Sequence, residues 1–72
     1  MKKTYSLKEI DCANCAAKLE RKLSKLAGVE NVEINFMAQK MTLEASDEEF
    51  EEVLARAVAA VAKYEPDCRV IL

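Results

Sequence analysis

Two cysteines, Cys12 and Cys15, are separated by two residues and follow directly on a carboxylate, Asp11. The chain contains no histidine, so this pair is its densest group of soft metal-ligating atoms. A gap of two residues lets both sulfur atoms reach one ion, and the thiolate is the form that ligates metal. The stretch 9–17 therefore predicts a metal site, which the rest of the chain must keep rigid and exposed.

The cysteine pair lies where the apolar pattern changes its period. Tyr5 and Leu7 alternate with polar residues, which indicates a strand, whereas Leu19 and Leu23 recur at helical spacing. Cys15 is therefore expected in the first turn of a helix. The unpaired backbone N–H groups and the positive end of the helix dipole favour thiolate there, so we expect lowered cysteine pKa values.

The same two periods divide the whole chain into six elements. We predict strands at 4–10, 29–36, 40–45 and 68–72 and helices at 14–27 and 47–63. Gly28 is expected in the left-handed conformation after the first helix, and Ser46 with Glu49 forms a predicted capping box before the second. Two β-α-β units with right-handed crossovers then give an α+β, ferredoxin-like βαββαβ sandwich, in which both helices cover one face of a four-stranded antiparallel sheet.

This topology also places the loops. The first and last strands are expected to be neighbours, so the loop 63–67 should lie beside the cysteine loop. Met37 and Met41 are a candidate thioether pair for copper. We assign them instead to turn and core packing at the second hairpin, and we expect that hairpin on the far side from the cysteines.

Length and composition limit the chain to one small domain of ordinary globular type, with 72 residues, 51% apolar and 33% charged. The net charge of −2 argues against nucleic acid as a partner. Apolar runs fall short of the roughly 20 residues of a membrane span, and no signal-peptide pattern opens the chain. Three cysteines fit a reducing compartment better than a disulfide framework, so we expect a soluble, cytosolic domain.

The sequence around the cysteines resembles a known family. Asp-Cys-Ala-Asn-Cys-Ala-Ala-Lys-Leu-Glu at 11–20, followed by Gly-Val-Glu-Asn-Val-Glu-Ile-Asn-Phe at 28–36, is similar to the heavy-metal-associated domain. The similarity is greatest to the N-terminal domains of zinc-, cadmium- and lead-exporting P-type ATPases and covers essentially the whole chain. It implies that Cys12 and Cys15 are the metal thiolates. Asp11 matches the acidic position of the divalent branch, where copper(I) relatives usually carry threonine.

Coordination chemistry favours a divalent ion as well. Copper(I) is content with two soft thiolates, whereas zinc(II) prefers four ligands and accepts oxygen, and cadmium(II) and lead(II) suit a sulfur-rich site. Two thiolates and the Asp11 carboxylate leave one position for water, a buffer ion or a partner's residue. We therefore predict Zn(II), Cd(II) or Pb(II) in preference to Cu(I). In the alternative, Asp11 is a helix N-cap that makes no metal contact.

The loop 63–67 and the last strand supply further candidates. Cys68 could add a third sulfur, although strand alternation would bury it as a small apolar residue. Glu65 and Asp67 are candidate oxygen ligands or, alternatively, solvated loop charges. Lys63 and Tyr64 resemble the loop position at which family members carry a lysine or an aromatic residue that modulates the site.

The leading hypothesis is a metal-binding module that is not an enzyme by itself. The resemblance implies a domain of an ATP-driven metal exporter at the cytosolic face of the membrane, which delivers metal to the membrane and catalytic domains or regulates them. A metal-bridged dimer, in which two chains share one ion, is a further possible arrangement. The alternatives are a free-standing metallochaperone, including one for Cu(I), and a thiol-disulfide oxidoreductase. The last would usually carry tryptophan and proline around its cysteines, and this chain has no tryptophan.

Overall fold

The computed structural model describes residues 1–10 and 12–72, so the predictions for Asp11 lie outside the described residues. Its six elements are β1 (Lys2–Lys8), α1 (Ala13–Ser24), β2 (Asn31–Asn35), β3 (Lys40–Glu44), α2 (Phe50–Tyr64) and β4 (Arg69–Ile71). All strand pairs are antiparallel, and the strands lie side by side in the order β2-β3-β1-β4. The predicted ferredoxin-like arrangement and the pairing of the first strand with the last are confirmed.

One apolar core lies between the sheet and the helices. The strands contribute alternate residues, and the helices contribute residues three or four positions apart: Leu7, Val32, Ile34, Met41 and Leu43 from the strands, and Ala16, Leu19, Leu23, Phe50, Val53, Ala57, Ala60 and Val61 from the helices. Within residues 1–10 and 12–72, no polar or charged residue is buried. Burying each large aliphatic side chain contributes about 1.5–3 kcal/mol, so apolar packing is the main source of stability.

Helix α1 ends at Ser24, three residues earlier than predicted. The N–H groups of Lys25 and Leu26 donate to carbonyls three residues back, at 3.2 and 3.1 Å, so the chain tightens into a turn. Gly28 follows with φ of 88°, and a Cβ there would lie 2.6 Å from Cγ2 of Val53. The left-handed glycine is confirmed, but it closes this turn and not the helix itself.

Helix α2 begins at Phe50, three residues later than predicted, and the capping box is wrong. The N-cap is Glu49, whose backbone N–H donates to the Ser46 carbonyl at 3.2 Å. Residues 46–49 therefore form a turn ahead of the helix. Among the described contacts, the Glu49 side chain makes no capping bond. The helix ends at Tyr64, two residues before Pro66, as the missing N–H of proline requires.

Candidate metal centre

The cysteine loop begins where β1 leaves the sheet. The prediction extended this strand to residue 10, but Glu9 has φ of 63°, which ends the regular ladder after Lys8. The next residue, Ile10, is only 4% exposed and belongs to the core cluster. The loop is therefore anchored on its β1 side by a buried aliphatic side chain.

Cys12 and Cys15 bracket the first turn of α1. Cys12 is the N-cap, in an extended conformation, and its Sγ accepts a hydrogen bond from the backbone N–H of Cys15 at 3.4 Å. Both cysteines are half-buried, and both are thiols. The predicted position of Cys15 in the first turn is confirmed. The N–H···S bond satisfies one of the otherwise unpaired donors of the helix and orients the Cys12 sulfur.

The expectation of a lowered pKa is wrong for Cys15. The hydrogen bond with the Cys12 side chain raises the pKa of Cys15 from 9.0 to about 11, with smaller contributions from burial, the Cys12 charge and Glu65. The helix dipole favours thiolate, but three acidic groups share this corner, and each disfavours a further negative charge on its neighbours. The effect of Glu65 on the pKa of Cys15 was not predicted from the sequence.

The loop after α2 lies beside the cysteine loop, as predicted. The Glu65 side chain lies close enough to Cys15 to raise the pKa of its thiol, which places a carboxylate next to the second sulfur. The backbone of Glu65 is fixed on both sides, because its N–H donates to Val61 at 2.8 Å and its carbonyl accepts from Cys68 at 2.9 Å. Of the loop carboxylates proposed from the sequence, Glu65 is the one for which the structure gives a contact with a cysteine.

Tyr64 contacts two lysines, and a role of Lys63 and Tyr64 in modulating the metal site stays a prediction. Tyr64 is 40% exposed, and its ring centroid lies 4.1 Å from Nζ of Lys22 on α1 and 5.5 Å from Nζ of Lys63. Cation–π contacts of this kind contribute about 0.5–1 kcal/mol at exposed sites. The cluster connects the two helices next to Glu65.

Cys68 is 5% exposed and belongs to the core cluster. Burial raises the pKa of the Cys68 thiol, and the charges of Glu65 and Glu9 raise it further. The predicted burial is confirmed, and β4 itself begins one residue later, at Arg69. The two carboxylates also place Cys68 at the same end of the sheet as the cysteine pair.

The second hairpin lies at the cysteine end of the molecule, so its predicted place on the far side is wrong. Strands β1 and β2 both run antiparallel to β3, and they therefore end at the same edge of the sheet. The N–H of Leu7 donates to the Gln39 carbonyl in this turn at 2.7 Å. Met41 is fully buried and Met37 is 90% exposed, in agreement with the assignment of these methionines to core and turn.

Gln39 is the residue at this end that the sequence analysis missed. Its side chain bonds to the backbone of Ile10, at the start of the cysteine loop. The predicted topology, followed strand by strand, would have brought this turn to the cysteines.

Three cysteine or carboxylate side chains arranged to enclose one ion are not found within residues 1–10 and 12–72. The predicted ligand Asp11 lies outside the described residues. The set Cys12, Cys15 and Asp11 thus stays a prediction, as do Glu65 and Cys68 as additional ligands. The described part of the site is a pair of adjacent thiols with one carboxylate against the second.

Residues 4–65 match the family of heavy-metal-associated domains. The chain belongs to this family. The heavy-metal-associated domain is a metal-binding domain and is not itself catalytic, and its relatives include the N-terminal domain of a potential P-type ATPase.

The relatives of this heavy-metal-associated domain carry different metals in their names. The cadmium, zinc and cobalt-transporting ATPase of Helicobacter pylori is 45% identical over 51 residues, which is 71% of this chain and 7% of that protein. The N-terminal domain of ZntA in its Zn(II) form has a TM-score of 0.77 and 26% identity over 97% of this chain and 88% of its own. The N-terminal domain of a potential copper-translocating P-type ATPase from Bacillus subtilis, Cu(I)-loaded, has a TM-score of 0.80 and 28% identity, over 99% of this chain and 84% of its own.

This heavy-metal-associated domain spans a small fraction of the length of the transporting ATPases that it matches, 7% in the case of the Helicobacter pylori protein. In the part of the chain that the structure describes, none of the helices combines the length and the apolar character needed to cross a bilayer.

Proposed function

We propose that this domain binds one Zn(II), Cd(II) or Pb(II) ion as cargo through the thiolates of Cys12 and Cys15. Asp11 and Glu65 would supply carboxylate oxygens. The observation that carries the proposal is the pairing of two thiols at the start of α1 with a carboxylate, Glu65, near the second. Two sulfur atoms and one or two oxygen atoms are a ligand set that zinc and its heavier relatives accept.

The charge at this corner supports a divalent ion over Cu(I). Cys12 and Glu65 both raise the pKa of Cys15, so additional negative charge at this corner is unfavourable. A dication with two thiolates forms a neutral unit that does not repel a carboxylate, whereas Cu(I) with two thiolates carries a net negative charge beside Glu65. Carboxylate ligands also suit harder ions better than Cu(I).

The separation of core and site supports a role in metal delivery or in the regulation of transport. The core contains no metal-dependent packing, so we infer that the domain folds without its cargo, unlike zinc fingers. A site with two thiolates and one or two carboxylates in a loop can release its ion ligand by ligand. The related ATPases suggest that it serves a metal-exporting P-type ATPase, a membrane-bound hydrolase and translocase, with this domain at the cytosolic face.

The direct test is titration of the reduced protein with Cd(II), followed by the ultraviolet thiolate-to-cadmium band. We expect one ion per chain. Cys12→Ser and Cys15→Ser should weaken binding by more than about 100-fold, because each removes a ligand and not merely a supporting contact. Serine is itself a good N-cap, so Cys12→Ser should leave α1 intact.

Cys68→Ala is the matched control for these two variants, because it also removes one thiol and should leave the band unchanged. If the parent protein shows no thiolate-to-cadmium band, the proposal is wrong.

Similarity to the Cu(I)-loaded domain makes a copper site, as in a free-standing metallochaperone, the second candidate. The variant Asp11→Thr separates the two. We expect it to weaken zinc binding and to spare Cu(I) binding, which needs only the two sulfur atoms. An unchanged ratio of the two affinities would mean that Asp11 makes no contact with the metal.

Two further proposals have simple tests. A thiol-disulfide oxidoreductase is disfavoured because such an enzyme would usually carry tryptophan and proline around its cysteines, and this chain has no tryptophan. Fast reduction of insulin disulfides would reverse this conclusion.

A metal-bridged dimer would complete the coordination shell of one ion with ligands of two chains. It predicts a doubled molecular mass at half an equivalent of metal and monomers at one.

A further inference from the structure

The side chain of Gln39, in the turn between β2 and β3, spans from this turn to the start of the cysteine loop. Its Nε2 donates to the carbonyl of Ile10 at 2.6 Å and to the carbonyl of Phe36 at 3.0 Å. Its Oε1 accepts from the N–H of Ile10 at 3.3 Å. One carboxamide therefore bonds both backbone groups of Ile10 and fastens them to the neighbouring turn.

The amide takes the place of a strand partner. Up to Leu7, whose N–H donates to the backbone carbonyl of Gln39 at 2.7 Å, β1 is held by main-chain hydrogen bonds. At Glu9 the chain turns through φ of 63° and leaves the ladder. The next residue is Ile10. Its N–H and carbonyl are bonded by the carboxamide of Gln39, in place of the main-chain partner that a strand residue would have. Reversing the amide would set its oxygen against two carbonyls, so the three contacts fix its orientation.

The backbone conformation of Gln39 is unfavourable for the turn itself. Its φ is 54°, in the left-handed region, which glycine and asparagine adopt more readily than glutamine. A glutamine there is strained, and its bonds to Ile10 and Phe36 offset that strain. The residue joins the turn to the cysteine loop at the expense of a relaxed hairpin.

We propose that Gln39 is a positioning residue for the metal loop. By holding both backbone groups of Ile10, two residues before Cys12, it fixes where the loop leaves the sheet and keeps the Cys12 sulfur at the N-cap of α1. This inference rests on the proposed function. Without Gln39 the loop would have to be ordered at the moment of metal binding, and the ion would be held less tightly and exchange faster.

The test uses Gln39→Asn, which keeps an amide and tolerates the left-handed conformation but is one methylene too short to span to Ile10. We expect its Cd(II) affinity to fall about tenfold, the lower end of the range for residues that support metal ligands. We also expect a shifted or broadened ¹¹³Cd resonance and faster hydrogen exchange at the Ile10 amide.

The matched control is Asn35→Ala. The Asn35 Oδ1 accepts from the N–H of Ala38 at 3.0 Å, so this variant weakens the same hairpin without removing the bonds to Ile10. It should lower thermal stability as much as Gln39→Asn does and leave the Cd(II) affinity and the ¹¹³Cd signal as in the parent.

Gln39→Gly guards against a folding defect, since glycine relieves the strained φ while it removes the carboxamide. It should fold at least as well as Gln39→Asn and show the same loss of affinity. Parental affinity and an unchanged ¹¹³Cd signal in Gln39→Gly would overturn the inference. A parent protein that fails to bind Cd(II) would overturn the proposed function instead.

Discussion

The interior of this domain and the end of its sheet that carries the cysteines differ in what holds their residues in place. In the interior, Leu23, Leu43 and Val53 are fully buried, and the described interior contains no buried polar or charged residue. At the cysteine end, Glu9 and Gln39 adopt left-handed backbone conformations, and single hydrogen bonds between side chains and backbone set the geometry. The interior depends on apolar area, and the cysteine end depends on individual contacts.

This difference predicts that folding and metal chemistry respond to different substitutions. Changes far from each other usually add with little coupling, so a core variant should alter stability and a loop variant should alter metal affinity. Substitutions and conditions that act on one region only therefore test whether the interior and the cysteine end are independent.

The largest expected effect on the interior is that of Leu23→Ala. The side chain of Leu23 is 0% exposed, and its truncation should lower the free energy of unfolding by about 2–5 kcal/mol. Urea unfolding measures this loss, and Cd(II) titration of the folded protein should give the parental affinity. If affinity fell in proportion to stability, the interior and the cysteine end would be energetically coupled.

The next largest effect is that of pH on metal affinity. Because the pKa of Cys15 is raised to about 11, the thiol is protonated at neutral pH, and a bound cation must displace that proton. Between pH 6 and 8 the apparent Cd(II) affinity should rise about tenfold per pH unit for each proton released. Calorimetry in buffers of different ionisation enthalpy counts the protons, and a count of zero would contradict the raised pKa.

The raised pKa of Cys15 affects stability in the opposite direction: metal affinity should rise with pH, whereas the free energy of unfolding should fall. A thiol with a raised pKa is protonated in the folded chain under conditions in which it ionises in the unfolded chain. As the pH rises from 9.0 to about 11, ionisation of the thiol therefore lowers the free energy of the unfolded state relative to that of the folded state. Stability of the domain should be constant below this window and decrease across it, which thermal unfolding at several pH values measures.

A smaller effect is expected for Glu65→Gln. It removes a charge that raises the pKa of Cys15, so that pKa should fall. If Glu65 is also an oxygen ligand, Cd(II) affinity should nevertheless decrease, by about tenfold. Asp67→Asn in the same loop is the control and should change neither quantity. An increase in affinity in Glu65→Gln would assign this carboxylate a purely electrostatic role.

The smallest effect is expected for Cys68→Ala. Cys68 is buried in the core, and the loss of one atom there should cost about 1 kcal/mol of stability. The sulfur count in the Cd(II) form, from X-ray absorption, should remain two. A count of three in the parent and two in the variant would make Cys68 a ligand and join the interior to the site.

The sequence predicted most of what depends on periodicity. Alternation in the strands and the recurrence of Leu19 and Leu23 depend only on which face is buried, so the order of elements and the core followed directly. The placement of Cys15 in the first helical turn, and of the loop 63–67 beside it, followed from the same topology. Element ends were less accurate, because the turn at Gly28 and the turn before Phe50 are set by backbone hydrogen bonds that no periodicity describes.

Local sequence patterns did not predict the contacts at the site between residues that are far apart in the chain. The raised pKa of Cys15 needs Glu65, which is fifty residues away in the chain. The contact between Gln39 and Ile10 joins residues 29 positions apart and depends on two left-handed residues, neither of them glycine. The hairpin lies at the cysteine end, and not at the predicted far side, because β1 and β2 both run antiparallel to β3.

The position of Tyr64 has a practical consequence. The chain has no tryptophan and two tyrosines, so Tyr5 and Tyr64 dominate its intrinsic fluorescence. Tyr5 lies in the sheet, whereas Tyr64 lies next to Glu65 and under the ammonium group of Lys22. If metal binding reorients Glu65, as the proposed ligand set implies, we expect the emission of Tyr64 to change, so that tyrosine fluorescence would report the binding without a label.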